Sequence, residues 1–144
     1  MNKDFPVLAI DYGDKNFGIA LSDKKGIIAS PLTVLRITKN RNIDHLLNEI
    51  RDIIKHYNVK RIVVGKPQIF QDSYKQSAYK VEKFVIKLKE IVNIPIIFQD
   101  ESYSTTQAQN MLTSLGQSTK KSRNKIDMIS ATVFLQDFLN SENK

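Results

Sequence analysis

The run from Val7 to Asp23 constrains the chain most. Val7-Leu8-Ala9-Ile10 is wholly apolar, the pattern of a strand covered on both faces. It runs into Asp11, and glycines at 13 and 18 permit a tight reversal into a second apolar strand, Phe17 to Leu21. A chain that begins this way must supply a layer for each face of its first strand. Asp11 is carried to the tip of that strand. There it either caps a turn, a common role for Asp, or offers a carboxylate to a metal or phosphate group. The choice turns on whether other acids reach the same place.

The rest of the chain supplies the layers. Gly26 marks another turn, and Ile27 to Leu35 reads as a third strand. Ser30-Pro31 interrupts it, which predicts an edge position or a bulge. Arg36, Lys39 and Arg41 follow as a basic loop. Ile43, Leu46, Leu47, Ile50, Ile53, Ile54 and Tyr57 recur at helical spacing, so a helix is expected from about Asn42 to Tyr57. His45 and His56 lie off its apolar stripe or at its margin and are expected in solvent. Arg61 to Gly65 is a fourth strand. Asp72 or Ser73 can cap a helix reaching about Val92, with Ala78, Val81, Phe84, Val85, Leu88 and Ile91 inward.

Ile94 to Gln99 is a fifth strand ending at Asp100-Glu101. Ser104 and Gln107 form a capping box for a helix that Gly116 stops. Gln117 to Lys125 is expected as a basic loop, and a last helix from near Ile126 buries Ala131, Phe134, Leu135, Phe138 and Leu139. Three leading strands followed by alternating helices and strands predict an α/β protein. Its sheet is mixed and five-stranded, with helices on both faces. The absence of repeats or linkers predicts one domain over residues 1–144, with its core at about 7–139.

That arrangement gathers acids. If the first, fourth and fifth strands run parallel, Asp11, Gly65 and Glu101 share one edge of the sheet, where open α/β sheets bind ligands. Asp127 is expected in the first turn of the last helix, next to the basic loop. Three carboxylates suit hard cations such as Mg²⁺, which need neither His nor Cys. Two such ions ~3.5–4 Å apart can activate water and steady a leaving oxygen in phosphodiester cleavage. Singly, Glu101 reads as well as a surface carboxylate, and Asp127 as a partner of the helix dipole.

Composition narrows the partner. The chain has 144 residues, no Cys and two His, which excludes disulfides, thiolate sites and Cys nucleophiles. The net charge of +7 favours a polyanionic partner. Lys120, Lys121, Arg123 and Lys125 can track phosphates by charge alone; the same residues also read as a solvated loop. The first residues carry no apolar run of the signal-peptide kind, and no stretch approaches ~18 apolar residues, so a cytoplasmic protein with no membrane partner is expected. No P-loop or Gly-x-Gly-x-x-Gly pattern is present, and no serine has a His near a strand tip.

The ordered motifs carry a resemblance. They are Asp11-x-Gly13-x-Lys15-x-x-Gly18-x-Ala20-x-Ser22-Asp23, Val64-Gly65-x-Pro67, Asp100-Glu101-x-x-Ser104-Thr105, and Asp127 with Ala131 and Leu135-Gln136. Together they resemble the YqgF family, also called the RuvX or Holliday junction resolvase family, from about Val7 to Leu139. The resemblance implies an RNase H-like fold and a Mg²⁺- or Mn²⁺-dependent nuclease site in which Asp11, Glu101 and Asp127 match the acidic positions. It implies that Lys15, Ser104 and Thr105 contact nucleic acid. The implied activity is processing of the 5′ end of precursor 16S rRNA in ribosome maturation. Resolution of branched DNA, a non-catalytic role in transcription or ribosome assembly, and a nucleotide-binding ATPase are the alternatives. A monomer suits an RNA end; a symmetric junction suits a homodimer. Asn16 and Ser102 stand where the family usually has arginine. Lys66 at the fourth strand's tip is a candidate phosphate contact in compensation.

Overall fold

A computed structural model of the chain describes residues 4–13, 15–66, 73–100 and 119–142, with residues 66, 73–78, 100 and 119–128 placed by backbone alone. The elements are β1 (Val7–Asp11), β2 (Asn16–Ser22), β3 (Ala29–Arg36), α1 (Ile43–Tyr57), β4 (Arg61–Lys66), α2 (Ser73–Ile91), β5 (Ile96–Asp100) and α3 (Thr119–Glu142). The five strands form one sheet in the order β3-β2-β1-β4-β5. β1 is central. It pairs antiparallel with β2 and parallel with β4, and β4 pairs parallel with β5.

The side chains of β1 show why both faces are covered. Leu8 and Ile10 join Phe17, Ile19, Leu46, Ile50, Val81, Phe84 and Leu88 in a core beneath α1 and α2. Val7 and Ala9 join Ala20, Val63, Ala131, Phe134, Leu135 and Leu139 in a second core beneath α3. Successive strand residues point to opposite faces, so one uninterrupted apolar run feeds both layers. Each fully buried aliphatic or aromatic side chain contributes about 1.5–3 kcal/mol.

Local chemistry sets the element ends. Asn42 caps α1, its Oδ1 accepting from the His45 N–H at 3.1 Å, and Asn58 in the left-handed conformation closes the helix. His45 and His56 are exposed, as expected. β3 lies at the sheet edge. Its register with β2 shifts between Ile19 and Ala20, so the expected edge position and bulge both occur around Pro31.

Three elements start two or more residues away from the expected position. β3 begins at Ala29 rather than Ile27, because the Asp23 carboxylate accepts from the Ile27 and Ile28 N–H groups at 2.7 and 3.2 Å. Those groups are thereby lost to the ladder, and the two isoleucine side chains are left exposed. β5 begins at Ile96, after Pro95, which has no N–H for a ladder. α3 begins at Thr119 rather than near Ile126, so Lys120, Lys121, Arg123 and Lys125 are helical and not a loop. Lys and Arg are good helix formers; the stretch lacked an apolar period, not helical propensity. The helix expected from Ser104 to Leu115 lies outside the described residues.

Candidate active site

The site is built around the end of β1. Asp11 keeps the parity of Val7 and Ala9 and therefore belongs to the α3 face of the sheet. It is half-buried. Its ladder partners are Gly18 on β2 and Gly65 on β4. Both flanks of the carboxylate thus carry no side chain, and the row behind it is the small apolar floor of Ala20, Ala9 and Val63. One strand further, Gln99 pairs with Gly65 and donates its Nε2–H to the Phe134 carbonyl of α3 at 3.2 Å.

Tyr12 anchors the chain just past Asp11. It points to the opposite face, where its ring meets Phe17 edge-on at 4.9 Å and Phe84 of α2 at 5.5 Å. The backbone at Asp11 is thus held by the ladder before it and by the packed ring after it. Gly13 follows, and a Cβ there would run into the Asn16 carbonyl, so only glycine closes this turn. Lys15 projects from the turn into solvent, and its carbonyl accepts from the Ile37 N–H at 2.8 Å.

α3 runs back along the sheet. Its last turn reaches Arg61 at the start of β4, where Glu142 pairs with the guanidinium at 2.5 Å. Its earlier turns therefore approach the ends of β1, β4 and β5. Asp127 lies one helical turn ahead of the buried Ala131, on the stripe continued by Phe134, Leu135 and Phe138. Position 127 lies seven residues, about 10 Å along the helix, before Phe134, whose carbonyl Gln99 reaches. The helix begins at Thr119, so Asp127 lies in its third turn and not in the first turn as expected.

Lys66 ends β4 opposite Asp100 on β5. Glu101, Ser104 and Thr105 lie outside the described residues. Lys120, Lys121, Arg123 and Lys125 fall in the first two turns of α3, ahead of Asp127. Among the described residues no three acids or histidines gather at one point. One residue that the sequence pattern leaves out belongs to this edge. Arg36, expected to begin a loop, is the last residue of β3 and pairs with Asn16. Leu35 faces α1 and α2, so Arg36 shares the face of Asp11. The alternation Val34-Leu35-Arg36 carried that signal.

Sheet order, helices on both faces and a carboxylate at the tip of the central strand define an α/β protein of the RNase H-like type. The chain superposes on T. thermophilus RuvC, solved in complex with a Holliday junction substrate, with a TM-score of 0.60 over 96% of both chains. At 13% identity that likeness shows the shared fold. The pattern of the family described as RuvX, Holliday junction resolvase, matches residues 6–141, and the chain belongs to that family. Relatives provisionally named pre-16S rRNA nuclease include one from Roseiflexus sp. at 36% identity, covering 94% of both chains. Another, from Geobacillus kaustophilus, is 38% identical over 94% of this chain and 97% of the relative.

Proposed function

We propose that the chain is a metal-dependent nuclease that processes the 5′ end of precursor 16S rRNA in the cytoplasm. The observation that carries this reading is Asp11, at the tip of the central strand, with glycine on both flanks and α3 opposite. The relatives' shared name supplies the substrate.

The donor chemistry fits a hard divalent cation. A carboxylate is an oxygen donor of the kind Mg²⁺ and Mn²⁺ take, and both ladder neighbours of Asp11 are glycines. Asp11, Glu101 and Asp127 would hold the metal. Bound there, such ions would supply Lewis acidity and activate water at neutral pH. The protein's own contribution is placement. The β1 ladder and the Tyr12 ring fix Asp11, and Lys15, Lys66, Ser104 and Thr105 hold phosphate oxygens beside it. Lys120, Lys121, Arg123 and Lys125 neutralise the approaching backbone, positioning it without reading sequence.

A second reading, resolution of branched DNA, is favoured by the family's own description. The test compares a precursor rRNA fragment with a synthetic four-way junction, with Mg²⁺ or Mn²⁺, for the natural protein and Asp11→Asn. RNA cleavage lost in Asp11→Asn is the expected result. Cleavage of the junction alone would transfer the assignment to the second reading. Tight binding without cleavage of either would leave a non-catalytic binding factor and overturn the proposal.

A further inference from the structure

We propose that Arg36, with Lys15 and Lys39, forms a phosphate-binding ridge. It carries the nucleic-acid strand from Asp11 outward across β2 and β3. The inference rests on the nucleic-acid substrate of the proposed function, and it adds two residues and a direction to that site.

The register carries it. β3 runs parallel to β1, because each is antiparallel to β2. The carboxyl end of β3 therefore lies at the same edge as Asp11. Asp11 pairs with Gly18, Gly18 with Val34, and Asn16 with Arg36. Asp11, Asn16, Gly18, Val34 and Arg36 have one parity and share the α3 face. Arg36 is thus two strands across and two residues further out, about 12 Å from Asp11 between Cα atoms. A guanidinium there is within reach of a backbone phosphate a nucleotide or two from the one held at Asp11.

The ridge is rigid and uncommitted. The Ile37 N–H donates to the Lys15 carbonyl at 2.8 Å, which extends the β2–β3 ladder one step past Asn16 and Arg36. Thr38 and Arg41 then exchange backbone hydrogen bonds at 2.9 and 3.1 Å, so Lys39 stands at the tip of a closed turn. Arg41 is occupied by Glu49. Arg36, Lys15 and Lys39 are exposed, and among the described residues none of the three makes an ion pair or side-chain hydrogen bond. Guanidinium and ammonium groups left unpaired beside a catalytic edge suit phosphate oxygens, the guanidinium bidentately.

The test measures binding, not cleavage, so it stands apart from the test of the nuclease reading. A fluorescent single-stranded RNA is titrated in EDTA over a range of salt concentrations. Arg36→Ala/Lys39→Ala is compared with Lys24→Ala/Lys25→Ala, an equal charge change in the β2–β3 connection at the opposite end of the sheet. The ridge pair is expected to bind at least 10-fold more weakly at low salt. Its log–log salt slope should be shallower by roughly 1.4, since each single-strand phosphate contact accounts for about 0.7. Arg36→Lys should recover part of the loss. Equal weakening in both double variants would show only bulk charge, and an unchanged slope would show no phosphate contact; either overturns the ridge.

Discussion

Asp11 on β1 stands directly opposite Gly65 on β4, and the pair points toward α3. Gly65 puts no side chain beside the carboxylate, and one introduced there would compete with whatever Asp11 binds. Gly65→Val inserts a branched group into buried surroundings. Its expected stability cost is about 1–3 kcal/mol. Cleavage should fall further than stability explains, by about 100-fold, because small displacements at a reacting centre are costly. Thermal melting and turnover measured on one preparation separate the two effects. Unchanged turnover would show that the space beside Asp11 is not used.

How much of this was legible in the sequence depends on what each residue's neighbours demand. Val7 to Ile10 read as a strand covered twice because no polar residue interrupts it, and Pro31 marked an edge because it cannot donate to a ladder. Glycines at 18 and 65 were visible, but their position on either side of Asp11 is a matter of register, which no local pattern reports. Ile27 and Ile28 looked like strand because they are apolar, yet the Asp23 carboxylate claims their N–H groups. The start of α3 leaves no mark in the sequence, because Lys and Arg are compatible with loop and helix alike. Arg36 is hidden for a related reason. Its charge fitted a loop, and only the pairing with Asn16 shows which face and edge it serves.

Gly26 has a φ of +72°, and a Cβ built on it would run into the Phe5 ring. Gly26→Ala therefore incurs two separate costs, about 1–2 kcal/mol for a left-handed alanine and about 1–3 kcal/mol for crowding. Only the second depends on Phe5. In a Phe5→Leu background the substitution should cost less, by about 1 kcal/mol, the coupling expected of residues in contact. A denaturant double-mutant cycle measures this. Strict additivity would mean that the ring moves aside without resistance.

Asp23 closes the β2–β3 connection and supplies a pH dependence with a definite sign. Burial raises its carboxyl, but the N–H groups of Ile27, Ile28, Gly26 and its own outweigh burial and hold it below the ordinary value of 3.8. A carboxyl depressed in the folded state adds stability above its unfolded pKa, and that stability is lost as pH falls through the folded one. Asp23→Asn keeps an oxygen acceptor but loses the charge. The melting temperatures of the two proteins should differ by a constant amount above about pH 5. They should converge below pH 3.8. A gap that persists at low pH would assign the difference to geometry rather than charge.

Gln136 fastens α3 to the start of β3. Its Oε1 accepts from the Ala29 N–H at 2.9 Å, and its Nε2 donates to the Ile27 carbonyl at 2.8 Å and to Asn140 Oδ1 at 3.2 Å. Gln136→Ala leaves both backbone groups to water and should cost about 1–2 kcal/mol, a drop of about 2–4 °C in melting temperature per kcal/mol. Gln136→Glu is the sharper probe. It keeps the acceptor for Ala29 but sets a carboxylate oxygen against the Ile27 carbonyl, which favours the protonated form and raises the pKa of the new carboxyl in the folded state. The penalty should therefore be full at neutral pH and shrink as pH falls through the carboxylate range, where an O–H can again donate to Ile27. A penalty independent of pH would show that the amide's donor is dispensable and that Ala29 alone ties the helix to the strand.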